Sequence, residues 1–433
     1  MGRLPSHTDG RGKRSEALAK PMLRLFEELA DDIRIEVYDG TEFGDPNAAV
    51  TIKICSSDFL ARVIRGRGSE LAFSRAYVAG DIEVEGDIYA VLALRNKLVD
   101  VSIDLGLVRD TARALGIRGA TDLRRLWSLP VPAEEARVHG FLHSRRRDAQ
   151  AISAHYDVSN DFYRLFLGST MTYSCALFHD SADSLDQAQS NKYDLICRKL
   201  GLKRGMRLLD LGCGWGGMVL HAATHYGVTA VGVTISREQQ QLARQRVAEG
   251  GLEDQIDIRL QDYRDIEGGP FDAISSIGMF EHVGMSRLAV YFEKVNDLLV
   301  PGGRFLNHAI NRPVDRRRGR IDPNGFMSRY AFPDGELLEV GQIASAINRS
   351  GLEVRHIESL REHYALTLRE WVRRLEQNWD EALRLTSPER ARVWRLYMAV
   401  SALGFETNTL NVTQILATKT WDGASGVELR PEW

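Results

Sequence analysis

Several things are scarce in this chain, and each scarcity excludes a class of function. No stretch of the 433 residues reaches the roughly 18 consecutive apolar positions that a transmembrane helix needs. Any membrane contact is therefore expected to be peripheral. The four cysteines are Cys55, Cys175, Cys197 and Cys213. Their spacing suits neither a zinc site nor a disulfide framework, and no metal is expected. So few thiols in so long a chain suit a reducing, cytoplasmic compartment. The formal net charge of −3 gives no basic footprint for nucleic acid. Residues 1–20 contain no apolar signal-peptide core and read as a disordered tail.

What is present is an ordinary globular composition, 44% apolar and 27% charged, in a chain longer than one average domain. Residues 21–115 mix strand-like runs (IRIEVYDG, AAVTIKICS) with helical ones (IYAVLALRNKLVDV) and read as a small α+β domain. Residues 116–150 carry Gly, Pro and charge and read as a linker. From 151 to 433 the pattern becomes an alternation. The strands MRLLDLG, VTAVGVTI, IDIRLQD, FDAISSIGM and RFLNHAI are interleaved with helices such as GMVLHAATHYG, SREQQQLARQRVAEGG and LAVYFEKVNDLLVPGG. Such alternation predicts a doubly wound, mostly parallel sheet. The segment EWVRRLEQNWDEALRL (370–385) reads as one amphipathic helix, with Trp371, Leu375 and Trp379 spaced for core packing.

The first strand of that alternation runs into DLGCGWGG, which puts four glycines between 212 and 217. In a doubly wound sheet, ligands bind beyond the carboxyl ends of the strands, and glycine lets backbone approach them closely. No Gly-Lys-Ser/Thr follows, so this is not a phosphate-binding P-loop. An NAD site wants an acid at the end of the second strand to hold the ribose. That strand ends GVTISREQQ, with no acid before Glu238. Asp210 before the glycines and QDYRD (261–265) after the third strand suit S-adenosylmethionine (AdoMet) better.

Six motifs then stand in order: HYDVSNDFYRLFLGSTMTYSCALF (155–178), LDLGCGWGG (209–217), GVTISREQQ (232–240), QDYRD (261–265), GMFEHVG (278–284) and HYALTLREW (363–371). Together they resemble the cyclopropane-fatty-acyl-phospholipid synthase family, which includes mycolic acid cyclopropane synthases and methyl-branching fatty acid methyltransferases. LAFSRAYVAGDIEVEGDIYAVL (71–92) matches more loosely, with Arg75 and Ile82 departing from the family's residue types. The resemblance implies a Rossmann-like class I methyltransferase domain, preceded by a smaller lipid- or membrane-associated α+β domain. It implies AdoMet contacts from Tyr173, Ser174, Gly212, Gly214, Thr234, Gln239 and Tyr263. Gln239 would stand in for the missing acid on the ribose, since an amide both donates and accepts. It also implies a bicarbonate base cradled by Cys175, Glu281, His308, Tyr364 and the Ile310 backbone.

Taken singly, these residues have plainer explanations. Cys175 reads as a small buried hydrophobe, Tyr364 as a helix-start residue, His308 as a hydrogen-bonded core histidine and His282 as support for its turn. Their joint occurrence in six ordered motifs is what gives them a function, and that weight comes from the resemblance. The implied reaction adds one carbon from AdoMet to the cis double bond of a phospholipid acyl chain. A methyl cation equivalent on an alkene leaves a carbocation, so the site needs an apolar channel, excluded water and a nearby base. The expected product is a cyclopropane ring. The alternative is a methylene branch, which a separate reductase would convert to a methyl branch. A further alternative is a methyltransferase for a non-lipid acceptor. A homodimer is the expected assembly, at the inner face of the cell membrane.

Two basic runs, HSRRRD (143–148) and RPVDRRRGR (312–320), read either as solvated loops or as contacts to anionic headgroups. The second lies in a long segment, 311–338, of the kind that forms lids or binding surfaces. Replacing Arg316, Arg317 and Arg318 by Ser is expected to weaken binding to anionic liposomes in a flotation assay. Unchanged binding would assign the run to a solvated loop.

Overall fold

The computed structural model describes residues 20–29, 31–94, 103–114, 128–135, 159–180, 182–314, 322, 325–333 and 335–433. The tail 1–19, most of the linker, the HSRRRD run and Arg316 to Arg318 lie outside the described residues. The chain forms two compact units. The first comprises Met1–Ala136, Pro323–Ala331 and Ser387–Val400. The second comprises Arg137–Asp322, Phe332–Thr386 and Ser401–Trp433. Two late segments thus belong with the first unit and not with 151–433, a partition that chain order does not reveal.

In the first unit, β1 (Arg34–Val37), β2 (Glu42–Gly44), β3 (Val50–Ile54) and β4 (Ile82–Gly86) form a sheet in the order β2-β1-β3-β4. The β1–β3 pair is parallel and the other two pairs are antiparallel. The alternating burial of VTIKI in β3 follows from side chains pointing to opposite faces along a strand. Helices Asp58–Arg65 and Glu70–Ala79 bury Phe59, Leu60, Val63, Ala76 and Val78. Phe59 stacks on Phe26 at 5.9 Å. The second helix starts at Ser69, whose side chain accepts from the Ala72 amide, and stops at Gly80 with φ 75°. Arg75, one of the two departures from the family pattern, is held by both oxygens of Glu135 at 2.8 and 2.9 Å. The helix expected over IYAVLALRNKLVDV is described only for Ile88–Ala93.

In the second unit, β5 (Arg207–Leu211), β6 (Thr229–Thr234), β7 (Ile256–Leu260), β8 (Phe271–Ile277), β9 (Leu299–Asn311), β10 (Glu353–Ser359) and β11 (Asn411–Thr418) form a seven-stranded sheet. Its order is β10-β11-β9-β8-β5-β6-β7. The pairs β5–β6, β6–β7, β5–β8 and β8–β9 are parallel, and β11 is antiparallel to both β9 and β10. The expected doubly wound sheet is therefore present, with two additional strands at one edge. The order reverses at β5, so the crevice between β5 and β8 is where a ligand belongs.

One face packs Leu209, Ile274, Phe305 and Ile415 against helices Leu288–Leu298 and Val340–Arg349. The other packs Leu208, Ala273 and Leu306 against helices Leu185–Leu200, Gly217–Tyr226 and Arg237–Glu249. Two local readings need correction. The helix expected over 370–385 is two helices, Arg361–Gln377 and Trp379–Leu385, broken at Asn378 with φ −109° and ψ 28°. Trp371 and Leu375 are fully buried as expected, whereas Trp379 is half-buried. The helix expected to run through LVPGG stops at Leu298, and β9 already begins at Leu299.

Gly217 opens the helix after the glycine-rich turn. A Cβ there would lie 2.3 Å from the Tyr193 hydroxyl oxygen, which is itself held by Thr172 Oγ1 at 3.0 Å. Gly→Ala in an open helix gains up to about 1 kcal/mol. Gly217→Ala is expected to do the opposite and lose about 1–3 kcal/mol through overpacking, as measured by denaturant unfolding.

Candidate active site

β5 ends at Leu211 and the chain turns sharply. Gly212 has φ 75° and Gly214 φ 53°, both in the left-handed region that favours glycine. The amides of Gly212 and Cys213 both donate to the Val233 carbonyl on β6, at 3.0 and 2.9 Å. A Cβ on Gly212 would strike Met279 at 2.8 Å, while one on Gly214 would meet nothing within 4 Å. The backbone of Gly214 thus faces open space, in a cleft of about 1100 Å³ including its mouth. Tyr173, Ser174, Gly212, Gly214, Thr234, Gln239 and Tyr263 all line this cleft, with Asp210, Trp215, Met279 and His282.

Several of these groups are fixed by one another. Thr234 Oγ1 donates to Gln239 Oε1 at 2.7 Å. The amide oxygen of Gln239 accepts from Thr234 through one of its two lone pairs, which fixes the amide's orientation and leaves its NH2 free of that contact. Ser275 Oγ donates to Asp210 Oδ1 at 2.7 Å. The Arg264 guanidinium lies 5.2 Å from the centre of the Tyr263 ring and is itself held by Asp262 at 2.7 and 2.8 Å. Trp215 is anchored by Nε1 donating to Asn160 Oδ1 at 2.8 Å.

None of Cys175, Glu281, His308, Ile310 and Tyr364 lines the cleft itself. Glu281 Oε1 accepts the Ile310 amide at 2.7 Å. That amide proton is committed to Glu281, so the Ile310 backbone holds the carboxylate, in place of the direct contact to the anion that the resemblance implies. Glu281 Oε2 is buried without a hydrogen-bond partner, and so is His308 Nε2. His308, two residues before Ile310 on β9, instead meets Gln414 through Nδ1 at 3.2 Å. Cys175 Sγ lies 3.6 Å from the Leu360 carbonyl, which also accepts the Tyr364 amide at 3.1 Å. Cys175 and Tyr364 therefore meet at one backbone oxygen. An aromatic file continues from the cleft. Tyr173 stacks on Trp371 at 5.2 Å, Trp371 meets Tyr364 edge-on at 6.1 Å, and Tyr364 lies 4.6 Å from Phe405.

Burial sets the charge of these groups. It pushes the Glu281 carboxyl up to about 7, although the Ile310 amide pulls the other way. It drives His308 well below the ordinary imidazole range, with Lys192 and Lys199 adding to the effect. His282 falls to about 4 for the same reason. Burial also raises the Cys175 thiol, so this sulfur is no thiolate nucleophile.

Lys192 has no motif in the sequence to mark it as a site residue. It is fully buried, donates to Ser174 Oγ at 2.9 Å and stands 3.9 Å from the centre of the Tyr193 ring. Burial brings it down to about 7, against the pull of Cys175 and Asp210. Burial likewise lifts Asp210 to about 6, opposed by Ser275 and Lys192. His282, read as turn support, ends the short 3-10 turn Phe280–His282 and also lies on the cleft wall.

The family model for mycolic acid cyclopropane synthetase matches residues 143–415. The chain belongs to this family. It shares 41% identity with a protein named a probable fatty acid methyltransferase in Mycobacterium tuberculosis, over 93% of this chain and 94% of the other. With the cyclopropane-fatty-acyl-phospholipid synthase of Escherichia coli K12 it shares 34%, over 86% and 89%. The crystal structure of a mycolic acid cyclopropane synthase complexed with SAH and CTAB superimposes with a TM-score of 0.59 at 34% identity, over 62% of this chain and 97% of that one. The expected class I, AdoMet-dependent methyltransferase fold is thus established for this member of the synthetase family.

Glu281 has a folded pKa raised above its unfolded value. Its neutral form therefore stabilises the fold fully below about pH 4.5, and this contribution is lost as pH rises through about 7. Glu281→Gln removes the cost of ionisation. The variant is expected to be more stable than the parent at pH 8, by on the order of 2 kcal/mol, with the gain vanishing towards pH 4.5. Unfolding curves across that range would show it; a constant difference would contradict it.

Proposed function

We propose that this enzyme transfers a one-carbon unit from AdoMet to the cis double bond of an unsaturated phospholipid acyl chain, with bicarbonate as base and a cyclopropane as product. The observation that supports the reading is a glycine-lined cleft in a unit that also holds two buried polar atoms, Glu281 Oε2 and His308 Nε2, with no protein partner. Buried polar groups are nearly always hydrogen-bonded, so the two fit a small polar group that the chain does not itself provide.

Gly212 and Gly214 suit AdoMet because their backbone approaches without side chains. Gln239 would serve its ribose and Tyr263 its adenine face. AdoMet bound there supplies an electrophilic methyl group. Glu281, His308, Cys175 and Tyr364 would hold bicarbonate, which supplies a compact base. With Glu281 raised to about 7, its carboxyl is half protonated near neutral pH and can donate to an anion. Tyr173, Trp371, Tyr364 and Phe405 offer apolar walls that exclude water, and aromatic faces that favour positive charge. The enzyme is proposed to act as a peripheral protein at the inner membrane face. Among the described residues, no helix is long and apolar enough to cross a membrane.

The branching product is a second reading, favoured by the relatives. Those at 41% and 39% identity are named probable fatty acid methyltransferases, against 34% for the cyclopropane synthase.

The experiment uses purified enzyme, oleoyl-phospholipid liposomes, bicarbonate and AdoMet with a trideuterated methyl group. The released fatty acids are analysed by mass spectrometry before and after ozonolysis. The expected product gains a carbon bearing two deuteriums and resists ozonolysis. A product that ozonolysis cleaves at mid-chain establishes the branching reading. No label in lipid, with AdoMet bound, overturns both.

A further inference from the structure

The register of three strands places one polar row across the sheet. His308 on β9 is opposite Gln414 on β11, and Gln414 is opposite Glu358 on β10. Directly opposed residues share a face. Helix Leu185–Leu200 adds Lys199, whose side chain is fully buried. Its Nζ donates to Gln414 Oε1 at 2.7 Å and also meets the Glu358 carboxylate.

An ammonium has donors and no acceptor. The Gln414 atom that faces Lys199 must therefore be the carbonyl oxygen, which settles the orientation of the amide. The other end of the amide, its NH2, lies 3.2 Å from His308 Nδ1. An amide NH2 donates, so Nδ1 accepts and carries no proton. A neutral imidazole bears one ring proton, so it sits on Nε2. That atom is buried and has no protein partner. A second ring proton is opposed by burial and by the nearby cations Lys192 and Lys199. Burial pushes the Lys199 ammonium below its ordinary range, and the Glu358 carboxylate that Nζ meets pulls the other way.

We infer that Lys199 and Gln414 are positioning residues that hold His308 as its Nε2–H tautomer, so that the ring presents a hydrogen-bond donor to the site. The chemical use of this donor rests on the proposed reaction, where it would hold an oxygen of the anionic base and keep His308 from competing for the proton. The tautomer itself does not rest on that reaction.

The test is 15N–1H correlation of the ring nitrogens in histidine-labelled full-length protein at neutral pH, without added AdoMet. The His308→Asn spectrum assigns the His308 signals by difference. A pyrrole-type Nε2 and a pyridine-type Nδ1 are expected. A proton on Nδ1, or on both nitrogens, overturns the inference. Gln414→Glu places a carboxylate that accepts from Lys199 and from a protonated Nδ1. It is expected to move the ring proton to Nδ1 and lower kcat on the order of 10²-fold, with little change in the KM for AdoMet. Lys199→Met frees the amide to rotate, and a mixture of tautomers is expected. A Gln414→Glu protein that melts like the parent and keeps its tautomer and kcat also overturns the inference. Should Gln414→Glu not fold, the parent spectrum alone decides. If the parent shows Nε2–H yet labels no lipid, the proposed reaction falls and the tautomer stands.

Discussion

A lysine ammonium held out of water is the constraint around which the catalytic end of the second unit is arranged. Lys192 is fully buried, and an unpaired buried charge is among the most costly things a fold can contain. The surroundings offset that cost piece by piece. Ser174 Oγ accepts from Nζ, the Tyr193 ring lies beneath it, and Asp210 supplies opposite charge. Each partner belongs to a different functional element. Ser174 is in the segment that also carries Tyr173 and Cys175, Asp210 precedes the glycine turn, and Tyr193 fills the space that Gly217 leaves. The same charge opposes a second proton on His308. One buried lysine thus ties the glycine-lined cleft to the residues of the proposed base site.

The aromatic file has a complementary role. Tyr173, Trp371, Tyr364 and Phe405 are packed rings that lead from the cleft wall into an apolar interior. A low local dielectric strengthens every fixed dipole that remains there. It also accounts for the raised Glu281 carboxyl and the lowered imidazoles. These groups are held away from their solution charge states at a cost in stability, as functional sites often are.

Much of this was legible in the sequence, for identifiable reasons. The five parallel strands announced themselves because buried parallel strands are short apolar runs punctuated by helices. The glycine turn was legible because only a close backbone approach explains so many glycines after such a strand. β10 and β11 were not anticipated. EVRHIES is largely polar, and NVTQILAT carries Thr and Gln at positions that are buried only because β9 and β10 flank them. Lys192 and Lys199 were missed because a lysine in a polar-looking helix reads as solvated. Yet Leu185, Ala188, Lys192, Ile196 and Lys199 recur at helical spacing, and all five are buried. Periodicity placed both lysines on the apolar stripe, and residue type argued them off it. The break at Asn378 had no comparable signal, since the apolar spacing continues on both sides of it.

Cross-strand register explains why the polar row could not be read from the chain. Glu358, Gln414 and His308 come from three strands with intervals of 56 and 106 residues between neighbours in the row, and only the antiparallel placement of β11 makes Gln414 the direct neighbour of both others. Once there, Gln414 is oriented by a group that can only donate. A glutamine between two acceptors, or between two donors, would have no fixed orientation; between an ammonium and an imidazole it has one. The consequence passes along the row without any change of charge: Lys199 orients the amide, the amide selects the tautomer, and the tautomer decides whether His308 donates or accepts at its free nitrogen. In the proposed reaction, a basic imidazole nitrogen left beside the carbocation would offer a lone pair that competes with the intended base for the proton or traps the cation. Placing the ring proton on Nε2 removes that lone pair from the site, and this gives a reason for burying a lysine where an apolar residue would pack at less cost.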